Sequence, residues 1–207
     1  IKKLTLTAFI VVLISLTALF SVSALDVGTV SNLRYGKSES AITLAWNKAE
    51  NAVGYRVFEW KNDGWKALKT TADTVYKATR LYSGTKHIYA VRAYAKENGK
   101  TVWSGAYKTI TTATRPVTVS KITASPSTNY VKLAWTKSAG STGYRVYKYN
   151  PATKAWDTAV KATTATSVAV KGLVSGTKYY FAVKPYINTG SEIVWASTYT
   201  KILVCTR

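Results

Sequence analysis

Arg56, Phe58 and Trp60 occupy alternate positions of one short stretch, GYRVFEW. Arg145, Tyr147 and Tyr149 occupy the same positions of a second, GYRVYKY. Alternate residues of a strand share a face. A cation followed by two rings on one face can do non-covalent chemistry. Flat aromatic faces suit sugar rings, basic groups suit acidic ones, and Arg with aromatics is typical of binding hot spots. On the expected neighbouring strand Ile88, Arg92 and Tyr94 fall on the same face, matched by Tyr180, Lys184 and Tyr186. The set Arg56, Phe58, Trp60, Arg92, Tyr94, Arg145, Tyr147, Tyr149, Tyr180, Lys184 and Tyr186 is therefore a candidate ligand-binding face. It also has a purely structural reading. Cross-strand aromatic pairs stabilise a sheet by roughly 0.2–1 kcal/mol each, and an Arg over a ring adds about 0.5–1 kcal/mol. Trp65 and Trp156 lie on the following strand or loop, and Trp103 and Trp195 near the start of the last strand.

Covalent chemistry has less to work with. His87 is the one histidine, and spacing assigns it no nucleophile, orienting carboxylate or oxyanion donor. After Pro116 the acids are Asp157 and Glu192 alone; paired-carboxylate hydrolysis needs two close acids in different environments. One His, one Cys and no acidic cluster leave no metal-ligand spacing. Gly99-Lys100-Thr101 mimics the end of a phosphate loop, but that loop needs a glycine where Tyr94 stands. No catalytic residue, cofactor site or metal site is expected.

The elements that must position the face repeat. ITLAWNKAENAVGYRVFEW and VKLAWTKSAGSTGYRVYKY align without a gap at a shift of 89 residues, and LYSGTKHIYAVRAY aligns with LVSGTKYYFAVKPY at 92. A repeat of this kind sets the architecture before any local reading. Two units are expected, 25–115 and 116–207, abutting as a semi-rigid pair because TATRPVT offers no Gly/Ser-rich spacer. Ile42, Leu44 and Trp46 alternate with Thr43 and Ala45; Tyr55 and Val57 alternate with Arg56 and Phe58; Tyr89, Val91 and Ala93 alternate with Ala90, Arg92 and Tyr94. Period-2 patterns with one buried face read as antiparallel strands of an all-β sandwich. ENGK, with Asn98-Gly99, reads as a tight hairpin turn.

A Leu-x-Trp strand, a Gly-Tyr-x-Val strand, Leu-x-x-Gly-Thr-x-Tyr-x-x-x-Val, and Trp-Ser or Trp-Ala-Ser before a last strand together resemble the fibronectin type III domain. Tandem copies in secreted and cell-surface proteins of Gram-positive bacteria are the nearest likeness. The resemblance covers nearly all of the chain after residue 24. It implies two tandem seven-stranded immunoglobulin-like β-sandwiches with Trp46 and Trp135 as core tryptophans. It also implies a tyrosine corner following Leu81 and Leu173, with its Tyr at 87 and 179. Tyr179 fits; position 87 holds His, expected to replace the phenol as the corner's hydrogen-bonding group and to make a weaker corner.

Residues 1–24 read as a signal peptide: Lys2 and Lys3, an uncharged apolar run from Leu4 to Phe20, then Val22-Ser23-Ala24. An uncleaved anchor is the rival reading. Export would permit disulfides, yet Cys205 is alone. It reads as a small buried apolar side chain, or as one half of an intermolecular disulfide. The formal net charge is +20 with the basic residues scattered, which keeps a protein soluble and sets up a long-range positive field. The anionic partners outside a cell are cell-wall polymers, acidic polysaccharides and membrane surfaces; nucleic acid is disfavoured there. The expected function is adhesion or spacing at a cell surface without catalysis, with binding to cell-wall or environmental polysaccharide, or to a surface protein, through the Arg-aromatic face. Two alternatives stay open: an accessory module of a larger extracellular carbohydrate-active hydrolase, and a protein-protein adaptor.

Overall fold

The computed structural model describes residues 25–157 and 159–207, so the expected signal peptide lies outside the described residues. Every regular element among the described residues is a strand, and no helix there is long and apolar enough to cross a membrane. The first repeat contains β1 (Ser31–Lys37), β2 (Ala41–Asn47), β3 (Gly54–Lys61), β4 (Gly64–Thr71), β5 (Val75–Thr79), β6 (Lys86–Glu97), β7 (Lys100–Trp103) and β8 (Lys108–Ala113). The second contains β9 (Ile122–Pro126), β10 (Tyr130–Trp135), β11 (Gly143–Asn150), β12 (Ala155–Trp156), β13 (Lys161–Thr163), β14 (Ser167–Lys171), β15 (Lys178–Asn188), β16 (Ile193–Trp195) and β17 (Thr200–Cys205).

All pairings are antiparallel. The first repeat has a three-stranded sheet, β1-β2-β5, and a larger one, β4-β3-β6, in which β7 and β8 both pair with β6. The second has β14-β10-β9 and a larger sheet in which β12 and β13 pair with β11, while β16 and β17 pair with β15. Each repeat therefore keeps the expected seven lanes, with some lanes interrupted. The last lane of the first repeat runs Tyr94↔Trp103, breaks, and resumes at Val91↔Lys108. At the break Ser104 turns into the protein, fully buried, and its hydroxyl donates to Ala106 O at 2.8 Å. The second repeat breaks between Tyr186↔Trp195 and Val183↔Thr200.

The alternation read from the sequence decides what is inside. Ile42, Leu44, Trp46, Tyr55, Val57, Tyr89, Val91 and Ala93 form one core, drawn from both sheets of the first repeat. Val131, Leu133, Trp135, Tyr144, Val146, Phe181 and Val183 do the same in the second. Trp46 meets Tyr55 edge-on at 5.4 Å, and Trp135 meets Tyr144 at 5.3 Å. Buried phenols need partners, and both have one: Tyr55 Oη accepts from Ala49 N and Tyr144 Oη from Ser138 N, each at 3.0 Å. The glycine that opens each GYRV strand is also explained. A Cβ on Gly54 would stand 2.6 Å from Tyr94 Oη, and one on Gly143 would stand 2.5 Å from Tyr186 Oη. Asn98 and Gly99 both take positive φ, 50° and 77°, which is the turn an Asn-Gly hairpin requires.

The two repeats touch. Ala113 of the first packs with Ile187 and Val194 of the second. Glu192 accepts from Lys37 Nζ at 2.6 Å and from Thr112 Oγ1 at 2.7 Å. Arg115 donates Nε to Lys37 O at 3.2 Å and Nη1 to Trp195 O at 2.9 Å. Gly84 and Gly140 lie backbone to backbone: a Cβ on Gly140 would stand 2.5 Å from Gly84 O. Burial by itself would raise the Glu192 pKa, but the bonds from Lys37, Thr112 and Tyr35 outweigh it and hold the carboxyl below its ordinary range.

Candidate functional site

The outward face of the larger sheets divides into two zones in each repeat. In the first zone the cations and rings are spent on one another. Arg56 lies 5.1 Å and Arg92 5.7 Å from the Trp103 ring, and Tyr94 tilts against Trp103 at 5.3 Å. Arg56 Nε also donates to Thr70 Oγ1 at 3.2 Å. The second repeat copies the stack: Arg145 over Trp195 at 4.8 Å, and Tyr186 against Trp195 at 5.1 Å. A shallow cleft of about 150 Å³ lined by Arg56, Thr70, Tyr94, Lys96, Thr101 and Trp103 runs past this zone in the first repeat.

The second zone is open. Trp60, Trp65 and Tyr107 form a chain of edge-on contacts, 5.3 and 5.8 Å between successive ring centres. Its equivalent is Tyr149, Trp156 and Tyr199, at 5.5 and 5.4 Å. The two-residue hairpin Asn62-Asp63, both at positive φ, folds β4 back so that Trp65 pairs with Trp60. Beside each chain lies a cleft. Phe58, Trp65, Ala90, Arg92 and Tyr107 line about 200 Å³, and Tyr147, Trp156, Ala182, Lys184 and Tyr199 line about 150 Å³. The five lining positions correspond one for one across the repeat. In the second repeat a further groove of about 350 Å³ is lined by Tyr149, Trp156, Tyr180, Tyr199 and Lys201.

The structure thus brings Phe58, Arg92, Tyr147 and Lys184 to clefts, and Tyr149 and Tyr180 to the adjoining groove. Trp60 is exposed beside Trp65. Arg56, Tyr94, Arg145 and Tyr186 stack on tryptophans, with Arg56 and Tyr94 also lining the shallow cleft of the first zone. Tyr107 and Tyr199 were not among the residues selected from sequence. Their signal was present, since WSGAY and WASTY align at the same shift of 92 residues. Their direction was not readable, because each sits in the break of the last lane.

His87 differs from expectation. Tyr179 makes the corner, its Oη accepting from Val174 N at 2.9 Å. His87 makes no such bond to backbone. Its Nε2 lies 2.8 Å from Thr85 Oγ1 and its Nδ1 2.7 Å from Glu59 Oε1. A hydroxyl, an imidazole and a carboxylate in line look like a catalytic relay. Here the Thr85 hydroxyl donates to Tyr82 O at 2.6 Å, so its proton is already committed to the backbone. Glu59 is 3% exposed, and its other oxygen accepts from Lys61 at 2.8 Å. The arrangement is a buried structural pair. At the equivalent positions the second repeat places Lys148 over the Tyr179 ring at 5.9 Å. Burial first, and Glu59 second, push the neighbouring Tyr89 hydroxyl far above its usual pKa. Cys205 also departs from expectation: it is a free, exposed thiol, because the inward parity of β17 falls on Val204. Among the described residues no group of three or more His, Cys, Asp or Glu could hold a metal ion.

Comparison with known proteins places these features in a family context. Residues 115–200 match the fibronectin type III domain family. The fold is similar to the two fibronectin type III domain segment of chicken tenascin, with a TM-score of 0.53 over 86% of this chain and 99% of that one, at 17% identity. A relative from Niallia circulans, chitinase A1, is 30% identical over 164 residues, covering 72% of this chain. The match spans 22% of that enzyme.

Proposed function

We propose that the protein is an extracellular glycan-contact module, a non-catalytic accessory piece that holds to polysaccharide through the aromatic clefts of its two larger sheets. One observation carries this reading: an open cleft walled by the same ring pair, Trp65–Tyr107 and Trp156–Tyr199, recurs at corresponding positions in both repeats. Core packing explains the recurrence of Trp46 and Trp135; it does not explain exposed rings. Tyr107 is 49% and Tyr199 43% exposed. Flat rings in shallow clefts suit the apolar faces of sugars, and the net charge of +20 suits anionic surroundings. The likeness to part of a chitinase supports the accessory role, an extracellular setting and an origin in a Gram-positive bacterium. The leader-like residues 1–24 support export.

The contact between repeats favours a second task, spacing, since a bonded pair holds its ends at a set separation. Depletion from solution by insoluble chitin, by cellulose and by purified cell walls tests the main reading. Binding should persist at about 0.5 M salt, where charge is strongly screened. It should drop in Trp65→Ala/Trp156→Ala. Failure to bind any of the three would leave only the spacer.

A further inference from the structure

The two clefts are alike in their rings and unlike in their cations. In the first, the Arg92 guanidinium is occupied: Nε and Nη2 both donate to Ser104 O, at 2.9 and 2.7 Å. The second has Lys184 in place of Arg92 and Ala196 in place of Ser104. Among the described residues Lys184 makes no ion pair, and neither does Lys201. The Trp156 indole donates to Tyr199 Oη at 3.0 Å, which fixes the two rings as one wall. Lys184 lies in the cleft on one side of that wall and Lys201 in the groove on the other, with Tyr149 and Tyr180. The first repeat has Ile88 where the second has Tyr180, and Thr109 where the second has Lys201.

We propose that the second repeat is an acidic-polysaccharide site. One sugar ring stacks on the Trp156–Tyr199 wall, and carboxylate-bearing units on either side meet Lys184 and Lys201. The first repeat's cleft, whose Arg92 is held against Ser104 O with its Nε and Nη2 bonded, takes an uncharged ring. This assignment rests on the reading that the aromatic face contacts glycan. Size argues for a polymer. Spaces of about 150 and 350 Å³ sit at or below the low end of small-molecule pockets, roughly 300–1,000 Å³. Each holds a ring-sized unit, and useful affinity comes from linking several along one chain. Shape argues against a peptide as the occupant. Peptide and protein partners anchor in desolvated pockets, whereas these grooves are open and flat-walled.

Titration of the full chain with soluble polygalacturonate, with its methyl-esterified form and with polyglutamate, followed by tryptophan fluorescence at low and at about 0.15 M salt, tests the assignment. Polygalacturonate should bind about tenfold more tightly than the ester, the contribution of two exposed ion pairs. Lys184→Gln/Lys201→Gln should abolish that preference. Lys132→Gln/Lys171→Gln, the same charge change on the other sheet where both side chains are exposed, should leave it. Trp156→Ala should weaken both pectic ligands and leave polyglutamate unchanged. Equal affinity for acid and ester, or an equal effect of the two lysine pairs, would overturn the acidic site while leaving the glycan-contact reading intact. Polyglutamate binding as tightly as polygalacturonate would overturn it in favour of charge alone. Failure of every polysaccharide, insoluble chitin included, would remove both.

Discussion

Replacing Lys37 and Glu192 by alanine, singly and together, measures how firmly the two repeats are joined. Lys37 Nζ and Glu192 Oε2 are 2.6 Å apart, with side chains 16% and 23% exposed. An exposed ion pair contributes about 0.2–1 kcal/mol, while a hydrogen bond to a charged group shielded from water contributes about 1.5–3 kcal/mol. The burial puts this pair in the second class. Glu192→Ala also strips the fully buried Thr112 of its acceptor and leaves the Lys37 ammonium unpaired, so it should cost about 3 kcal/mol. Lys37→Ala should cost less, because the carboxylate keeps Thr112. A calorimetric double-mutant cycle should return a coupling of about 2 kcal/mol. The coupling should also depend on pH. The folded-state pKa of Glu192 is lowered: burial opposes the shift, and the bonds from Lys37, Thr112 and Tyr35 overcome it. A lowered carboxyl pKa contributes stability that is fully present above the ordinary glutamate value and is lost as pH falls through the folded-state value. The joint should therefore be intact at neutral pH and loosen below the ordinary value of 4.5. A coupling under about 0.5 kcal/mol, or one unchanged in acid, would refute the reasoning.

Glycine supplies a paired test. Gly140 and Gly176 both have positive φ, 70° and 64°, but a Cβ meets backbone at Gly140 and nothing within 4 Å at Gly176. Gly176→Ala should cost about 1–2 kcal/mol of backbone strain, and Gly140→Ala clearly more, with loss of the Lys37–Glu192 coupling; equal costs would remove the joint as the cause. His87→Tyr alone leaves the buried Glu59 with Lys61 as its remaining partner and should lower Tm, whereas Glu59→Lys/His87→Tyr rebuilds the second repeat's Lys148–Tyr179 pair and should recover most of the loss. A double variant no better than the single would show that the two solutions are not interchangeable. Cys205 should react stoichiometrically with a thiol reagent in the native protein, at a rate that denaturant barely changes; a rate rising steeply on unfolding would mean that the thiol is covered.

The parity of short strands was the most legible part of the sequence. Tyr55 and Val57 face in and Phe58 faces out because polar and apolar residues alternate around them. The same parity also holds for Glu59, which the structure buries but which an apolar-pattern reading of GYRVFEW passes over. Where the contrast vanished, so did the reading. TKILVCT is apolar at both parities, and Cys205 was put on the wrong side. The clefts were half legible: Phe58, Arg92, Tyr147 and Lys184 follow from strand phase, but Trp65 and Tyr107 reach them only through a hairpin and a broken lane. The joint left no local trace, because Lys37 and Glu192 are 155 residues apart.

That joint brings together two unlike surfaces. Its donor surface in the first repeat comprises Gly84, Ala113 and Arg115, and the second repeat carries a copy in Gly176, Cys205 and Arg207. Ala113 is sealed by its neighbour, while Cys205 is open to solvent. Its receiving surface depends on Gly140, and the first repeat has Asn51 there, at a φ of 56°. Asparagine tolerates that backbone but brings the Cβ that the contact forbids. Glycine at this one position of the second repeat is thus what lets the backbone of the first repeat come so close.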